Sequence, residues 1–151
     1  MGRRIVIIQG HPDPAGGHFD HAVANAYRAA AVEGGHDVDT IDVATLDFSL
    51  VRSFAEWSEQ SPGVDIVNCQ QIITAANHLV IVFPLWLGTM PALLKGFLEQ
   101  VARPGFAFRY ADGGGWIRLL TGRSAHVFVT MGMPTFVYRR LYRAHSVKAL
   151  E

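Results

Sequence analysis

Two short runs that are apolar at every position constrain the fold most. Ile5-Val6-Ile7-Ile8 is continuous and β-branched, and Leu79-Val80-Ile81-Val82-Phe83 repeats the pattern mid-chain. A strand with one wet face alternates polar and apolar residues. A strand apolar on both faces must be covered from both sides, as the central strands of parallel sheets are. Both runs therefore predict interior strands with helices above and below.

The intervening sequence supplies those helices. Phe19, Ala22, Val23, Ala26, Ala30 and Val32 recur at helical spacing, and Gly34-Gly35 stops the run. Residues 38–43 read as a second strand and residues 44–62 as irregular. Ser61-Pro62 reads as the cap and first turn of a helix that reaches Asn77. Pro91 opens another helix, with Leu93, Leu94, Phe97, Leu98 and Val101 on its apolar side, and Pro104-Gly105 ends it. Residues 106–110 alternate as a short extended piece, and Asp112-Gly113-Gly114-Gly115 makes a turn. Residues 125–130 form a fourth strand. The order β-α-β-α-β-α-β predicts an α/β fold, a doubly wound parallel sheet in three layers, with right-handed crossovers.

The 151 residues suit a single domain spanning 1–151. Thirteen basic and thirteen acidic residues cancel, so no long-range field draws in nucleic acid or an anionic membrane. The stretch from His78 to Leu98 has the length of a membrane span, but Pro84, Gly88, Pro91 and Lys95 interrupt it. The opening apolar segment is too short for a signal peptide, and the lone Cys69 cannot form an internal disulfide. Both point to a reducing cytoplasm.

In open α/β sheets ligands bind where the strands end at their carboxyl side. The loops to inspect are residues 11–20, 84–91 and 130–138. The first leads into a helix N-terminus, whose free N–H groups and partial positive charge favour phosphate. Gly16 and Gly17 permit close approach, and His11 and His18 add donors. Neither a Gly-x-x-x-x-Gly-Lys-Ser/Thr nor a Gly-x-Gly-x-x-Gly pattern is present. The second loop, Phe83 to Pro91, places Trp86 and bulky aliphatics at a strand end, which suits a flat, partly apolar ligand. By composition alone, packing of Trp86 in the core or at a subunit contact explains it more readily. The third loop holds Thr130 and Gly132, with Tyr138 and His145 beyond. A tyrosine and a histidine there could stabilise charge on a reduced ring or a quinone oxygen. His21, His36, His78 and His126 read as helix-face, turn or core residues. No histidine spacing suits zinc and no Gly-x-Ser-x-Gly marks a nucleophile, so neither a metal site nor a nucleophile is expected.

Four segments together resemble the flavodoxin-like NAD(P)H:quinone oxidoreductase family. They are His11-Pro12 with Phe19-Asp20-His21-Ala22; Phe83-Pro84-Leu85-Trp86 with Pro91-Ala92-Leu93-Leu94-Lys95-Gly96-Phe97; Gly105-Phe106-Ala107-Phe108-Arg109-Tyr110; and Thr130-Met131-Gly132 with Tyr138. The resemblance implies a bound flavin, FAD or FMN, with NAD(P)H as co-substrate and a quinone as acceptor in a ping-pong exchange. It implies that His11, His18, Phe19 and Asp20 hold the phosphate end. Pro84, Leu85, Trp86 and Leu87 would carry the isoalloxazine ring through backbone contacts, and Thr130, Met131 and Gly132 would meet its pyrimidine side. Tyr138 and His145 would assist hydride transfer. It further implies a homodimer, with dimer contact near Trp86 and residues 106–110, and a fifth strand and last helix beyond Glu151.

The chain departs from the family at two positions. His18 stands where serine is common, and Asp20 where asparagine is common, which brings negative charge toward a phosphate unless Asp20 faces away. The same loops would serve a flavin-binding regulatory subunit of a partner such as a potassium efflux system. An electron carrier is disfavoured by the neutral charge.

Overall fold

A computed structural model describes residues 2–141 and Arg143. The chain runs β1 (Arg4–Gln9), α1 (Phe19–Glu33), β2 (Asp37–Asp42), a 3-10 turn (Val43–Thr45), α2 (Phe54–Glu59) and α3 (Val64–Ala75). It continues through β3 (His78–Pro84), α4 (Ala92–Val101), β4 (Phe108–Tyr110), β5 (Trp116–Arg118), β6 (Ser124–Thr130) and α5 (Thr135–Leu141). Four strands form a parallel sheet in the order β2-β1-β3-β6, and β4 and β5 form a separate antiparallel hairpin.

The two all-apolar runs are β1 and β3, paired through Ile5↔His78 to Gln9↔Val82. Alternate side chains go to opposite layers. Val6, Ile8, Ile81 and Phe83 pack with Ile66, Cys69 and Ile73 of α3 and Leu94, Phe97 and Val101 of α4. Ile5, Ile7, Val80 and Val82 pack against Ala24 and Ala31 of α1. The sheet therefore lies between α1 on one side and α3 and α4 on the other, which makes the three layers. Helix α1 stops where predicted. Gly35 takes φ +77, and the His36 N–H reaches back to the Ala31 carbonyl, closing the helix through a left-handed residue.

The segment 44–62 is more ordered than its composition suggested. It holds the 3-10 turn, capped by the Asp42 side chain at the Ala44 N–H, and the six-residue α2. Ser53 Oγ accepts from the Glu56 N–H, and the Glu56 carboxylate accepts from the Arg52 N–H. The other end of α2 is held from far along the chain: buried Arg103 donates to the Glu56 and Gln60 carbonyls, both at 2.8 Å. Ser61-Pro62 does not cap α3. Gly63 is the N-cap and no side chain closes that end. Trp116–Arg118 is a further strand that the sequence had not suggested. It folds back on Phe108–Tyr110, and the Phe108 ring meets Trp57 of α2 with centroids 5.7 Å apart.

Candidate functional site

Register brings the predicted loops to one edge. Gln9 pairs with Val82 and Pro84 with Thr130, so β1, β3 and β6 end side by side. Three contacts tie their exit loops together. The Thr130 hydroxyl donates to the Asp20 carboxylate at 2.7 Å, joining the end of β6 to the start of α1. The His11 ring meets Trp86 edge-on at 6.0 Å, joining the first loop to the one after β3. The Leu85 N–H donates to the Thr130 carbonyl at 2.8 Å, joining the second loop to the third.

The first loop is built around Asp13. Its Oδ1 accepts from the Ala15 N–H at 2.9 Å, and its Oδ2 lies 2.8 Å from His18 Nε2. The His18 contact holds the Asp13 carboxyl below its ordinary range. Gly16 and Gly17 both take positive φ, and the space where each would carry a Cβ is open, so backbone conformation rather than crowding requires glycine here. His18 is the N-cap of α1 but makes no side-chain cap, leaving that helix end without one. Phe19 is 72% exposed, whereas Asp20 is buried and turned inward to Thr130. The negative charge that the sequence placed near a phosphate is thus withdrawn from the loop surface.

The second loop is a tight hairpin. Trp86 and Thr89 exchange both backbone hydrogen bonds, at 2.9 and 3.0 Å, around Leu87-Gly88. Leu87 has φ 49 and Gly88 φ 81, the pair of left-handed residues that a two-residue turn of this hand requires. Glycine is easy there and leucine costs on the order of 1 kcal/mol. Leu87 is nevertheless fully exposed at the tip, with Trp86 half-exposed beside it and Pro84 buried at the strand end. The Leu85 and Trp86 N–H groups, expected to be open to a ring, are engaged within the fold, by Thr130 and Thr89.

In the third loop Met131 is half-buried and Gly132 exposed. Tyr138 lies on α5 with its ring buried. His145 lies outside the described residues.

Three groups escaped the sequence reading. His21 is one turn into α1, with both ring nitrogens buried and without a hydrogen-bond partner. Gln9 is 2% exposed; its Oε1 accepts from the His11 N–H, while its Nε2 has no partner. Asp13 anchors the loop. The spacing of His18 and His21, three residues apart across a helix start, was the available signal, because such pairs share a face. Elsewhere, Cys69 is buried and its thiol is pushed up to about 11, chiefly by burial, so it is no nucleophile at neutral pH. No helix among the described residues is long and apolar enough to cross a membrane.

Comparison with known proteins agrees with this architecture. A family profile described as the flavodoxin-like fold matches residues 3–151. An uncharacterized NAD(P)H oxidoreductase of Haemophilus influenzae is 30% identical over 137 residues, covering 89% of this chain and 67% of that protein. An FMN-dependent NADH:quinone oxidoreductase of Bacillus cereus is 28% identical over 150 residues, covering 86% of this chain and 70% of the other. The solved structure of Smu.1420 from Streptococcus mutans superposes with a TM-score of 0.71 at 25% identity, over 96% of this chain and 80% of that one. This chain spans 67% of the Haemophilus influenzae relative, 70% of the Bacillus cereus one and 46% of a rat NAD(P)H dehydrogenase [quinone] 1 that is 28% identical over 129 residues. With a family profile matched over residues 3–151, nearly its whole length, the chain belongs to the flavodoxin-like fold family.

Proposed function

We propose that this chain is the flavin-binding domain of an NAD(P)H-dependent quinone reductase. The observation that carries the reading is the convergence of three loops at one sheet edge, joined by the Asp20–Thr130 hydrogen bond and the His11–Trp86 ring contact. The donor set there fits the phosphate end of a flavin: an uncapped helix N-terminus, histidine rings, and two buried polar side chains with unpartnered nitrogens, His21 and Gln9. The exposed Trp86 and Leu87 beside it fit a flat ring system. The names of the Bacillus cereus and Haemophilus influenzae relatives agree with such chemistry.

In this reading His11, His18, Phe19 and Asp20 shape the phosphate end. Asp20 does so indirectly, by fixing Thr130 and with it the end of β6. Pro84, Leu85, Trp86 and Leu87 flank the isoalloxazine, and the engaged N–H groups of Leu85 and Trp86 keep that loop in shape for it. Thr130, Met131 and Gly132 line the pyrimidine side, and Tyr138 and His145 serve the reacting end. A bound flavin supplies the two-electron transfer between nicotinamide and quinone. The protein orients the ring and excludes water from the edge beneath Trp86. A homodimer would add contacts near Trp86 and the β4–β5 hairpin, where Tyr110 and Trp116 are exposed.

Purified protein loaded with FMN or FAD and treated with NADPH, then menadione, tests the reading. Bleaching followed by recovery of the flavin spectrum is expected. A protein that takes up neither flavin overturns it.

A further inference from the structure

Three imidazoles crowd the start of α1. His11 and His18 stack with centroids 3.9 Å apart and planes 16° from parallel. His21 lies 5.3 Å from the first and 5.7 Å from the second. Each ring's hydrogen bonding differs. His11 Nδ1 accepts from the Asp13 N–H at 3.2 Å, so its neutral form carries the proton on Nε2. His18 Nε2 bonds Asp13. Both nitrogens of His21 are buried and unpartnered, and so is Nε2 of the nearly inaccessible Gln9 beneath them. A buried polar atom left unpaired costs about 1–3 kcal/mol, and three such atoms share one corner of the fold. Among the described residues, no group of three His, Cys, Asp or Glu side chains could hold a metal ion. Imidazoles at an uncapped helix N-terminus match an anion instead.

We propose that His11, His18 and His21 form a proton-linked grip for a phosphate group, in which His21 takes up a proton as the phosphate binds. The proposal rests on the flavin reading for the identity of the phosphate, but adds a residue and a pH dependence to it. The charged groups facing the trio are Asp13 from the loop and Asp20 from α1; Trp86 meets it from the β3 loop, and Thr130 of β6 engages Asp20. Without an anion the rings repel each other's protons: burial first, then His18, holds His11 below the ordinary histidine value. A phosphate dianion within a few ångströms reverses the balance and favours the charged rings. The side chains of His18 and of its partner Asp13 are 42% and 45% exposed, which leaves room for the His18 ring to turn as a ligand enters.

The test measures affinity of the full-length protein for FMN, riboflavin and inorganic phosphate between about pH 8 and 6.5, with proton uptake read by calorimetry in buffers of different ionisation enthalpy. Histidine ring 15N shifts report which ring is charged. FMN affinity should strengthen as pH falls, by up to about tenfold per pH unit, the limit for one proton taken up per phosphate bound. Riboflavin, which lacks the phosphate, should bind without that slope. His21 should become charged on adding FMN or inorganic phosphate, and His21→Asn should remove most of the proton uptake, while the wild-type spectra identify the ring directly. FMN binding without proton uptake overturns the grip and leaves the flavin reading standing. Charging of His21 by inorganic phosphate with no affinity for FMN supports the grip and overturns the flavin reading. Failure of both probes to shift His21 overturns the grip.

Discussion

The Thr130 hydroxyl donates to the buried Asp20 carboxylate at 2.7 Å, linking β6 to α1 across 110 residues of sequence. A hydrogen bond to a charged acceptor contributes about 1.5–3 kcal/mol, and a buried carboxylate stripped of it keeps its desolvation cost. Thr130→Val should therefore lower stability by that amount, a drop of several degrees in Tm. Asp20→Asn keeps an acceptor and removes the charge, so it should cost less stability and bind FMN more tightly. Urea titration and FMN titration of the two variants check both. Equal stability loss from the two would mean that packing rather than the charged bond holds the corner.

The turn at Leu87-Gly88 stores strain that glycine would release. Leu87→Gly should leave stability unchanged or raise it by up to about 1 kcal/mol, since the left-handed cost disappears while the unfolded chain gains freedom. If the exposed leucine serves the ligand, the same variant should raise KM for the quinone with little change in kcat. A clear loss of stability would show that Leu87 makes a structural contact.

Two glycines separate crowding from flexibility. A Cβ on Gly10 would sit 2.6 Å from the side chain of Leu94, which is wholly buried. Overpacking of that kind costs about 1–3 kcal/mol. A Cβ on Gly96 would meet Leu50 at 2.5 Å, but Leu50 is 56% exposed and can rotate away. Gly96→Ala should then be neutral, or stabilising by up to about 1 kcal/mol through helix propensity. Thermal melts of both variants give the contrast directly.

Acid should destabilise the fold through its buried histidines. Burial, then His126 and Arg3, hold His78 below the ordinary value, and burial does the same to His11. A base whose folded pKa is depressed binds fewer protons folded than unfolded, so its contribution is complete above about pH 6.5 and is lost as pH falls through the folded value. The urea midpoint should be flat from about pH 8 to 7 and decline toward pH 5. His78→Gln should flatten part of that decline. An unaltered slope in the variant would assign the effect to other groups.

Cys69 should resist thiol reagents. With its thiol pushed up to about 11 and its side chain buried, a disulfide reagent at about pH 8 should leave it unmodified in the native protein and modify it fully in guanidinium. Native-state labelling at a rate near that of free cysteine would contradict its burial on the core side of α3.

The sheet was legible because its signal is strong and local. Ile5 to Ile8 and Leu79 to Phe83 have no polar face, and no other arrangement covers both sides of such strands. The stop at Gly34-Gly35 was legible for the same reason, as a backbone requirement written in one residue type. Helix α2 was not. It has no buried residue, so no apolar period marks it. Its signs are the Ser53-x-x-Glu56 spacing of a capping pair, which went unread, and Arg103, whose reach to its carbonyls no local pattern encodes. The site was half legible. His11, His18 and Trp86 stood out by type and place, but the inward turn of Asp20 depends on Thr130, and the isolation of the His21 nitrogens depends on two neighbouring rings. Those facts exist only once the strands are aligned.

The strand order has a consequence for how the protein comes into being. Strands β2, β1 and β3 are all complete by Pro84, so three of the four strands described in this sheet can associate while the chain is still being synthesised. The anchor for Asp20 arrives only with Thr130. Until β6 docks along β3, the first loop exists without its clasp, and every closing contact spans a long stretch of chain, the kind of pairing whose loop-closure cost slows folding. A ligand that recognises the finished corner would bind only after that docking and would hold the late strand in place, raising stability by mass action.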